Sequence, residues 1–366
     1  MKIAITGISN SGKTTLFNGL TGLNHETTIY PNITGEPLLG VVKVPDERVD
    51  KLAEIYKPKK VTHATVNYID YIGITKGDAE QNRKVFDHIK DADAIVCVVR
   101  AFKDDLVLHP LNKIDPLSDI ETLHLEFILG DLDLIDKRLT RINEAEKKGK
   151  KANPMEKVVL QRCKNALESE IPLRQLDLTN DERDTLRHLQ FITTKPEIVV
   201  INISEIDLNT PQQSELEGII NNFFEERGIK RGIRVISLCA KTEMEIAQLD
   251  KEEGLLFLED LQIQEPACNR LIKASYELLG FISFLTCGDD EVRAWTIRQG
   301  DTAVKAAGKI HSDIERGFIR AEVIHFDDFA RCGFSMNNAG KMGLLRLEGK
   351  NYEVKDGDII NFRFNI

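Results

Sequence analysis

Apolar positions along the 366-residue chain change their spacing several times, and each change marks an element. "KIAIT" at residues 2–6 is a short apolar run closed by Gly7, and the residues after it turn to helical spacing with Leu16, Phe17 and Leu20 on one face. "THATVNYID" alternates apolar and polar positions as a half-buried strand does, whereas "AIVCVV" and the Ile198–Ile201 run are continuous and β-branched. Between those two runs, Leu125, Ile128, Leu132, Ile135, Leu139 and Ile142 step alternately by three and four, the spacing of a coiled-coil seam. Leu160, Cys163 and Leu167 mark a second helix, joined to the first through "KKGKKANP". The pattern predicts an antiparallel helical hairpin inserted after the fourth strand, and Thr179 with Glu182 signs a capping box for a further helix. From about Phe284 short strands return ("EVRAWTI", "IRAEVIHF", "LRLEGKNYEVKDGDIINFRF") around one helix that starts at Thr302 and ends at Gly317, which is a β-grasp plan.

Composition narrows the class. At 42% hydrophobic and 30% charged the chain is ordinary globular material, with length for two or three domains. No apolar run approaches the roughly 18 residues of a membrane helix, and "MKIAITG" enters a strand directly, so a cytoplasmic protein without membrane contact is expected, as a monomer. Cys97, Cys163, Cys239, Cys268, Cys287 and Cys332 show no metal-ligand spacing and read as reduced, buried thiols. A net charge of -10 argues against indiscriminate coating of nucleic acid; contact with RNA would need a local basic cluster, and Lys147, Lys148, Lys150 and Lys151 around Gly149 form one at the hairpin tip.

The candidate chemistry begins at Gly7–Thr14, "GISNSGKT", a GxxxxGKT loop between strand and helix. Its glycines let backbone N–H groups curl around phosphates, Lys13 reaches the β and γ phosphates, and Thr14 offers a hydroxyl to Mg2+ at the helix N-terminus. Asn10, Ser11, Gly12, Lys13, Thr14 and Thr15 are therefore nucleotide-binding candidates. The fold class is α/β: a P-loop NTPase doubly wound sheet carrying the hairpin and the C-terminal β-grasp. The expected division is 1–118 and 196–280 for the nucleotide-binding part, 119–195 for the insertion and 281–366 for the last domain. Thr34 lies in a loop suited to a second magnesium ligand; Asp70 can hold a magnesium water, and the Gly73 N–H can meet the γ-phosphate. The residue after Gly73 is Ile74, which cannot orient an attacking water as the glutamine of Ras-type enzymes does. Another polar group, a cation or a partner must do so. His109, in the loop after "AIVCVVRAF", is one candidate; Asn10 is another, because an asparagine at that place helps to coordinate K+ in potassium-stimulated relatives of this fold.

Two stretches compete to read the base. "LNKID" at 111–115 has the letters of a guanine reader, but it follows a charged, Pro-containing segment and leads into a long helix, which makes it an exit loop. The better address is the end of the Ile198–Ile201 strand, where Asn202-Ile203-Ser204-Glu205 follows, with Cys239-Ala240-Lys241 at the end of the next strand to frame the base. Ile203 and Glu205 replace the lysine and aspartate of a guanine clamp. Their presence argues against strict guanine recognition without by itself selecting adenine.

Asn202–Glu205, "IYPNITGEP", the aliphatic residue after DxxG, and "EVRAWTIRQGDTAVKAAGKIHSDIERGFIRAEVIHFDDF" together closely resemble the YchF / Obg-like ATPases over nearly the whole chain. The resemblance implies a GTPase-type fold that prefers ATP, with adenine contacted through Asn202, Ile203 and Glu205, a histidine in the loop of His109, and a C-terminal TGS domain. It also implies a translation-associated switch that meets the ribosome or structured RNA through hairpin and TGS domain. The chain departs from the family in "ITKGDAEQNRKVF", where a Gly-rich stretch is usual, and in its phosphate loop, where GxPNVGKS is commoner. Two rivals stand beside this reading: a GTPase of the wider Obg group, and a nucleotide-organised binding module with negligible hydrolysis.

Overall fold

The computed structural model describes residues 1–27, 36–149 and 153–365; Thr34, Lys150 and Lys151 lie outside them. In chain order the first half runs β1 (Lys2–Thr6), α1 (Lys13–Thr21), β2 (Leu38–Lys43), α2 (Glu47–Tyr56), β3 (Lys60–Thr62), β4 (Thr65–Asp70), α3 (Ala79–Ile89), β5 (Ala94–Arg100), α4 (Pro116–Lys147), α5 (Pro154–Glu168) and α6 (Asn180–Leu186). Then follow β6 (Glu197–Asn202), α7 (Pro211–Glu226), β7 (Ile233–Leu238), α8 (Ala240–Gln248), α9 (Lys251–Asp260) and α10 (Ala267–Leu278). The last part holds β8 (Phe281–Thr286), β9 (Glu291–Arg298), α11 (Ala303–Ile310), α12 (Ser312–Arg316), β10 (Phe318–His325), α13 (Phe326–Arg331), α14 (Met336–Lys341), β11 (Arg346–Glu348) and β12 (Asp358–Phe364).

One compact unit comprises residues 1–42 and 67–271. Its sheet runs β2-β4-β1-β5-β6-β7, and β4, β1, β5, β6 and β7 are mutually parallel along that order. Every residue of β5 and β6 is buried, which is why both read as unbroken apolar runs: helices cover each face. Parallel strands bring the loops after β1, β4, β5, β6 and β7 to one edge, where open α/β sheets bind ligands.

The helical insertion packs as expected. Ile135, Ile142, Val159, Leu160, Cys163 and Leu167 form its core, and Lys157–Glu146 (2.7 Å) and Lys164–Asp136 (2.6 Å) fix the antiparallel register of α4 and α5. Leu125 departs from the expected seam and is 45% exposed. The first turns of α4 bury Ile120, Leu123 and Phe127 with the sheet core instead, so the seam begins at Ile128, where α5 becomes the partner. The Thr179–Glu182 capping box is formed.

The second unit comprises residues 43–66 and 272–366. Its sheet order is β11-β10-β12-β8-β9-β3. Here the expected division shifts, because 43–66 groups with the C-terminal residues: β3 pairs parallel with β9 from Lys60↔Glu291 to Thr62↔Arg293, and the Thr62 hydroxyl donates to Glu291 at 2.6 Å. The helix expected from Thr302 to Gly317 is two helices. His311 has extended φ/ψ (−162°, 143°), and its Nδ1 accepts from the Asp313 N–H at 3.2 Å, capping α12. Trp295 packs under Arg293, with the guanidinium carbon 3.8 Å from the ring centre, and donates to Thr286 Oγ1 at 3.0 Å. The cysteines are free, and all but Cys287 are buried.

Candidate functional site

The loop from β1 to α1 turns where Asn10 (φ 63°) and Gly12 (φ 93°) take left-handed conformations. A Cβ on Gly12 would lie 2.2 Å from Asn202 Nδ2, so only glycine lets the loop close against the end of β6. Lys13 is buried at the start of α1 and donates to the Ile8 carbonyl at 3.0 Å, folded back along the loop. Burial pushes its ammonium down in pKa, partly offset by Asp70; burial likewise pushes the Asp70 carboxyl up, offset by Lys13 and by the Thr14 hydroxyl. An incoming phosphate adds negative charge beside Lys13 and so favours the charged ammonium.

Asp70 ends β4, and its Oδ2 accepts from Thr14 Oγ1 at 2.7 Å. Its Oδ1 is buried and, among the described residues, has no hydrogen-bond partner. Thr14 and Asp70 thus offer hard oxygens, a donor set suited to Mg2+, which takes one or two protein oxygens and completes its shell with water and phosphate. Among the described residues no cluster of three or more His, Cys, Asp or Glu competes for a metal. Gly73 follows on the turn, packed so closely that a Cβ there would lie 2.7 Å from Ser9 Oγ and 3.0 Å from Lys13 Nζ. Ile74 is fully buried in the core with Ile8, and its N–H donates to the Gly7 carbonyl at 2.9 Å, so its side chain is taken up by packing against the start of the phosphate loop.

The segment after Ile74 is held from α3 and α4. Asn82 donates to the Thr75 carbonyl (2.7 Å) and to Glu126 Oε2 (2.8 Å) and accepts from the Thr75 N–H (3.0 Å), while Glu126 Oε1 accepts from the Gly77 N–H at 2.7 Å. Both side chains are buried. Sequence reasoning missed this clamp, whose members are a polar pair 44 residues apart on the inner faces of two helices.

The loop after β5 is organised by Arg100, buried at 1% exposure, which donates to the carbonyls of Phe102 (3.1 Å), Val107 (2.8 Å) and Asp104 (3.2 Å). A charge closing an otherwise apolar strand was the available signal for it. His109 does not sit open to the phosphate loop. Its Nε2 meets Asp119 Oδ2 at 3.1 Å, its Nδ1 accepts from the Leu111 N–H at 3.2 Å, and the residue is 7% exposed. Asn10 reaches the neighbouring residue, donating to the Leu108 carbonyl at 2.9 Å. "LNKID" lies on the exit, with Asn112 left-handed (φ 54°) and Asp115 capping α4 through the Ser118 N–H, so its polar groups serve the turn.

At the far end of the edge, Asn202 joins two loops. Its Nδ2 donates to the Ser11 carbonyl and its Oδ1 accepts from the Ala240 N–H, each at 2.9 Å, with the residue 4% exposed. Both halves of the amide are engaged within the protein, so Asn202 braces the phosphate loop and the β7–α8 turn. Ile203 points into the core and its N–H donates to the Leu238 carbonyl at 2.9 Å. Glu205 is exposed, Cys239 and Ala240 are buried at the start of α8, and Thr15 is half-buried on α1. The structure therefore gathers Asn10–Thr15, Asp70, Gly73, Asn202 and Ala240 at one edge, while turning His109 and Ile74 inward.

Known proteins resemble the chain along its whole length. A family described as "50S ribosome-binding GTPase" matches residues 2–129, and the YchF-GTPase C-terminal family, described as "Protein of unknown function (DUF933)", matches 281–365. The chain is 43% identical over 365 residues to the "Ribosome-binding ATPase YchF" of Bacillus subtilis (strain 168), covering 99% of this chain and 98% of that one. To the protein of the same name from Escherichia coli O157:H7 it is 40% identical, covering 100% and 99%. The solved structure "Structure of the Schizosaccharomyces pombe YchF GTPase" superposes with a TM-score of 0.81 at 29% identity, over 99% of this chain and 97% of that one. With likeness running through both units and the insertion, the chain belongs to the YchF family.

Proposed function

We propose that the protein is a Mg2+-dependent ATPase, hydrolysing ATP to ADP and phosphate and acting as a ribosome-associated switch. The observation that carries the choice of base is the end of β6. A guanine clamp needs a lysine stem and a carboxylate there; Ile203 is in the core and Glu205 is exposed, and curated proteins similar to this chain carry the name ATPase. Sites that pair a base's polar groups discriminate by about 10⁴ to 10⁵, so the missing clamp removes the basis for guanine preference.

The loop amides from Asn10 to Thr15 and Lys13 hold the phosphates. Thr14, Thr34 and Asp70 serve Mg2+, and the Gly73 N–H senses the γ-phosphate. Mg2+, when bound, neutralises phosphate charge; the chain's own residues position the nucleotide around it. Asn202 sets the spacing between phosphate loop and base turn, leaving the base to the backbone around Ile203, Glu205, Cys239 and Ala240. His109 enters the site only if the loop it anchors is released from Asp119. If Asn10 takes a monovalent ion, turnover in K+ exceeds that in Na+.

The C-terminal unit is read as a TGS-type recognition module, and with the hairpin tip it meets ribosomal RNA. No described helix is long and apolar enough to cross a membrane. The protein is assigned to the cytoplasm as a monomer. Titration calorimetry with ATP, ADP, GTP and GDP tests the reading: ATP should bind at least as tightly as GTP. Tenfold tighter GTP, about 1.4 kcal/mol, would overturn it.

A further inference from the structure

The segment after the DxxG turn is held in place by the helix that also forms the hairpin. α4 runs unbroken from Pro116 to Lys147, and beyond Glu126 it continues for about 30 Å toward the hairpin tip. Glu126 stands where the helix changes partners. The next residue, Phe127, is the last of α4 in the sheet core, and Ile128 is the first in the core of the insertion.

The Glu126 side chain is buried, and both its oxygens are taken from the DxxG side: Oε1 by the Gly77 N–H at 2.7 Å, Oε2 by Asn82 Nδ2 at 2.8 Å. Asn82 in turn holds both backbone polar groups of Thr75, donating to its carbonyl at 2.7 Å and accepting from its N–H at 3.0 Å. Thr75 is two residues past Gly73, and the Gly73 turn lies against the phosphate-binding lysine: a Cβ there would come within 3.0 Å of Lys13 Nζ. Apolar residues would join α3 to α4 equally well, but they would leave the Gly77 N–H without an acceptor.

The two helices are also locked against sliding. A Cβ on Gly130 would lie 2.8 Å from the Phe86 ring, so glycine lets α4 close on α3; the Phe86 and Phe127 rings meet at 5.9 Å, and Arg83 pairs with Asp133 at 2.9 Å. In a close-packed interior such contacts carry a displacement from one helix to the next. A tilt of the hairpin arm therefore moves Gly77 and Thr75 with it.

We propose that Glu126 is a positioning residue for the γ-phosphate site, setting the Gly73 turn through Gly77, Asn82 and Thr75, and that it couples the hairpin arm to recognition of the third phosphate. Coupling of this kind is reciprocal: whatever displaces the hairpin changes triphosphate affinity, and the triphosphate changes the hairpin. The inference rests on the NTPase reading and on the place given to Gly73, but not on the choice of base.

The test uses the full chain with Mg2+, titrated calorimetrically with ADP, GDP and non-hydrolysable analogues of ATP and GTP. Glu126→Gln keeps the size and an acceptor for Gly77 but opposes its NH2 group to that of Asn82. It should weaken the triphosphate analogue about tenfold while the diphosphate stays within about twofold. Adding Asn82→Asp restores a carboxylate–carboxamide pair in the reverse sense and should recover part of the loss, the Thr75 carbonyl alone lacking its donor. Unchanged triphosphate affinity in Glu126→Gln overturns the proposal, and so does equal weakening of triphosphate and diphosphate, which marks a merely structural role. A second measurement needs no variant. In wild type, replacing ADP by the triphosphate analogue should slow amide hydrogen exchange in α4 beyond Glu126 as well as at residues 75–77; protection confined to 75–77 overturns the coupling. If only guanine nucleotides bind, the ATP reading falls and the comparison is decided on the guanine pair; if none binds, both fall.

Discussion

Removing the Asn202 amide is the sharpest probe of how the site is built. Asn202→Ala deletes two buried 2.9 Å hydrogen bonds at once, leaving the Ser11 carbonyl and the Ala240 N–H without their partner. A buried backbone group stripped of its partner costs about 1–3 kcal/mol, so the pair amounts to about 2–6 kcal/mol. Part of this appears as lower stability and part as lower affinity, because the freed loops must be ordered again on binding. If half goes to binding, nucleotide affinity falls by about 1–3 kcal/mol, or roughly 5- to 150-fold. Asn202→Asp separates the two ends: it keeps an acceptor for Ala240 but sets a carboxylate oxygen against the Ser11 carbonyl, and should be no better than alanine. Calorimetry with Mg-ATP and ADP, paired with urea unfolding of the same samples, reads both portions. Affinity within about twofold of wild type and an unmoved unfolding midpoint would refute the brace.

Three further expectations follow from other parts of the molecule. Asp115→Asn should leave nucleotide preference unchanged, and Asp115→Ala should cost about 1 kcal/mol of stability as a lost helix cap; a shift toward or away from guanine in calorimetry would return "LNKID" to the base site. Replacing Lys147, Lys148, Lys150 and Lys151 by glutamine should weaken ribosome co-sedimentation and flatten its salt dependence, since Lys147 and Lys148 stand exposed at the hairpin tip; unaltered binding at every salt concentration removes the patch. Burial would push Glu197 up, but His124 and Arg174 overcome it and hold its carboxyl down at about 2, against an ordinary 4.5. A depressed carboxyl contributes stability that is complete above pH 4.5 and lost as pH falls toward 2, about 3 kcal/mol in all. Glu197→Gln should therefore flatten the acid limb of a stability–pH curve between those values, and parallel curves for the two proteins would contradict the assignment.

Much of the fold was legible because burial writes itself into spacing. The unbroken runs of β5 and β6, and the three-four steps of α4 from Ile128 onward, are each dictated by one local neighbour surface. Legibility failed where the neighbour came from far along the chain. The Lys60–Thr62 strand gives no periodic signal of its own; it exists because β9 presents an edge and Glu291 a carboxylate more than two hundred residues later. Leu125 continues the heptad on paper, yet α4 faces the sheet before it faces α5, and no rule of spacing says where one partner hands over to the other.

The site divides along the same line. Gly7–Thr14 could be read directly, because a phosphate loop makes its ligands from its own backbone and needs only a strand before it and a helix after. Base recognition could not be read from letters. "LNKID" carries Asn, Lys and Asp, but Asn112 is left-handed in a turn and Asp115 spends its carboxylate on the start of α4. Asn202 sits among less familiar letters, and what makes it a candidate is its position at the end of a fully buried parallel strand, between Ser11 and Ala240. His109 shows the converse, since its place in the right loop does not make its ring available while Asp119 and the Leu111 amide hold both nitrogens. A side chain's reactivity is set by which of its polar atoms remain unspent after folding, and that account closes only in three dimensions.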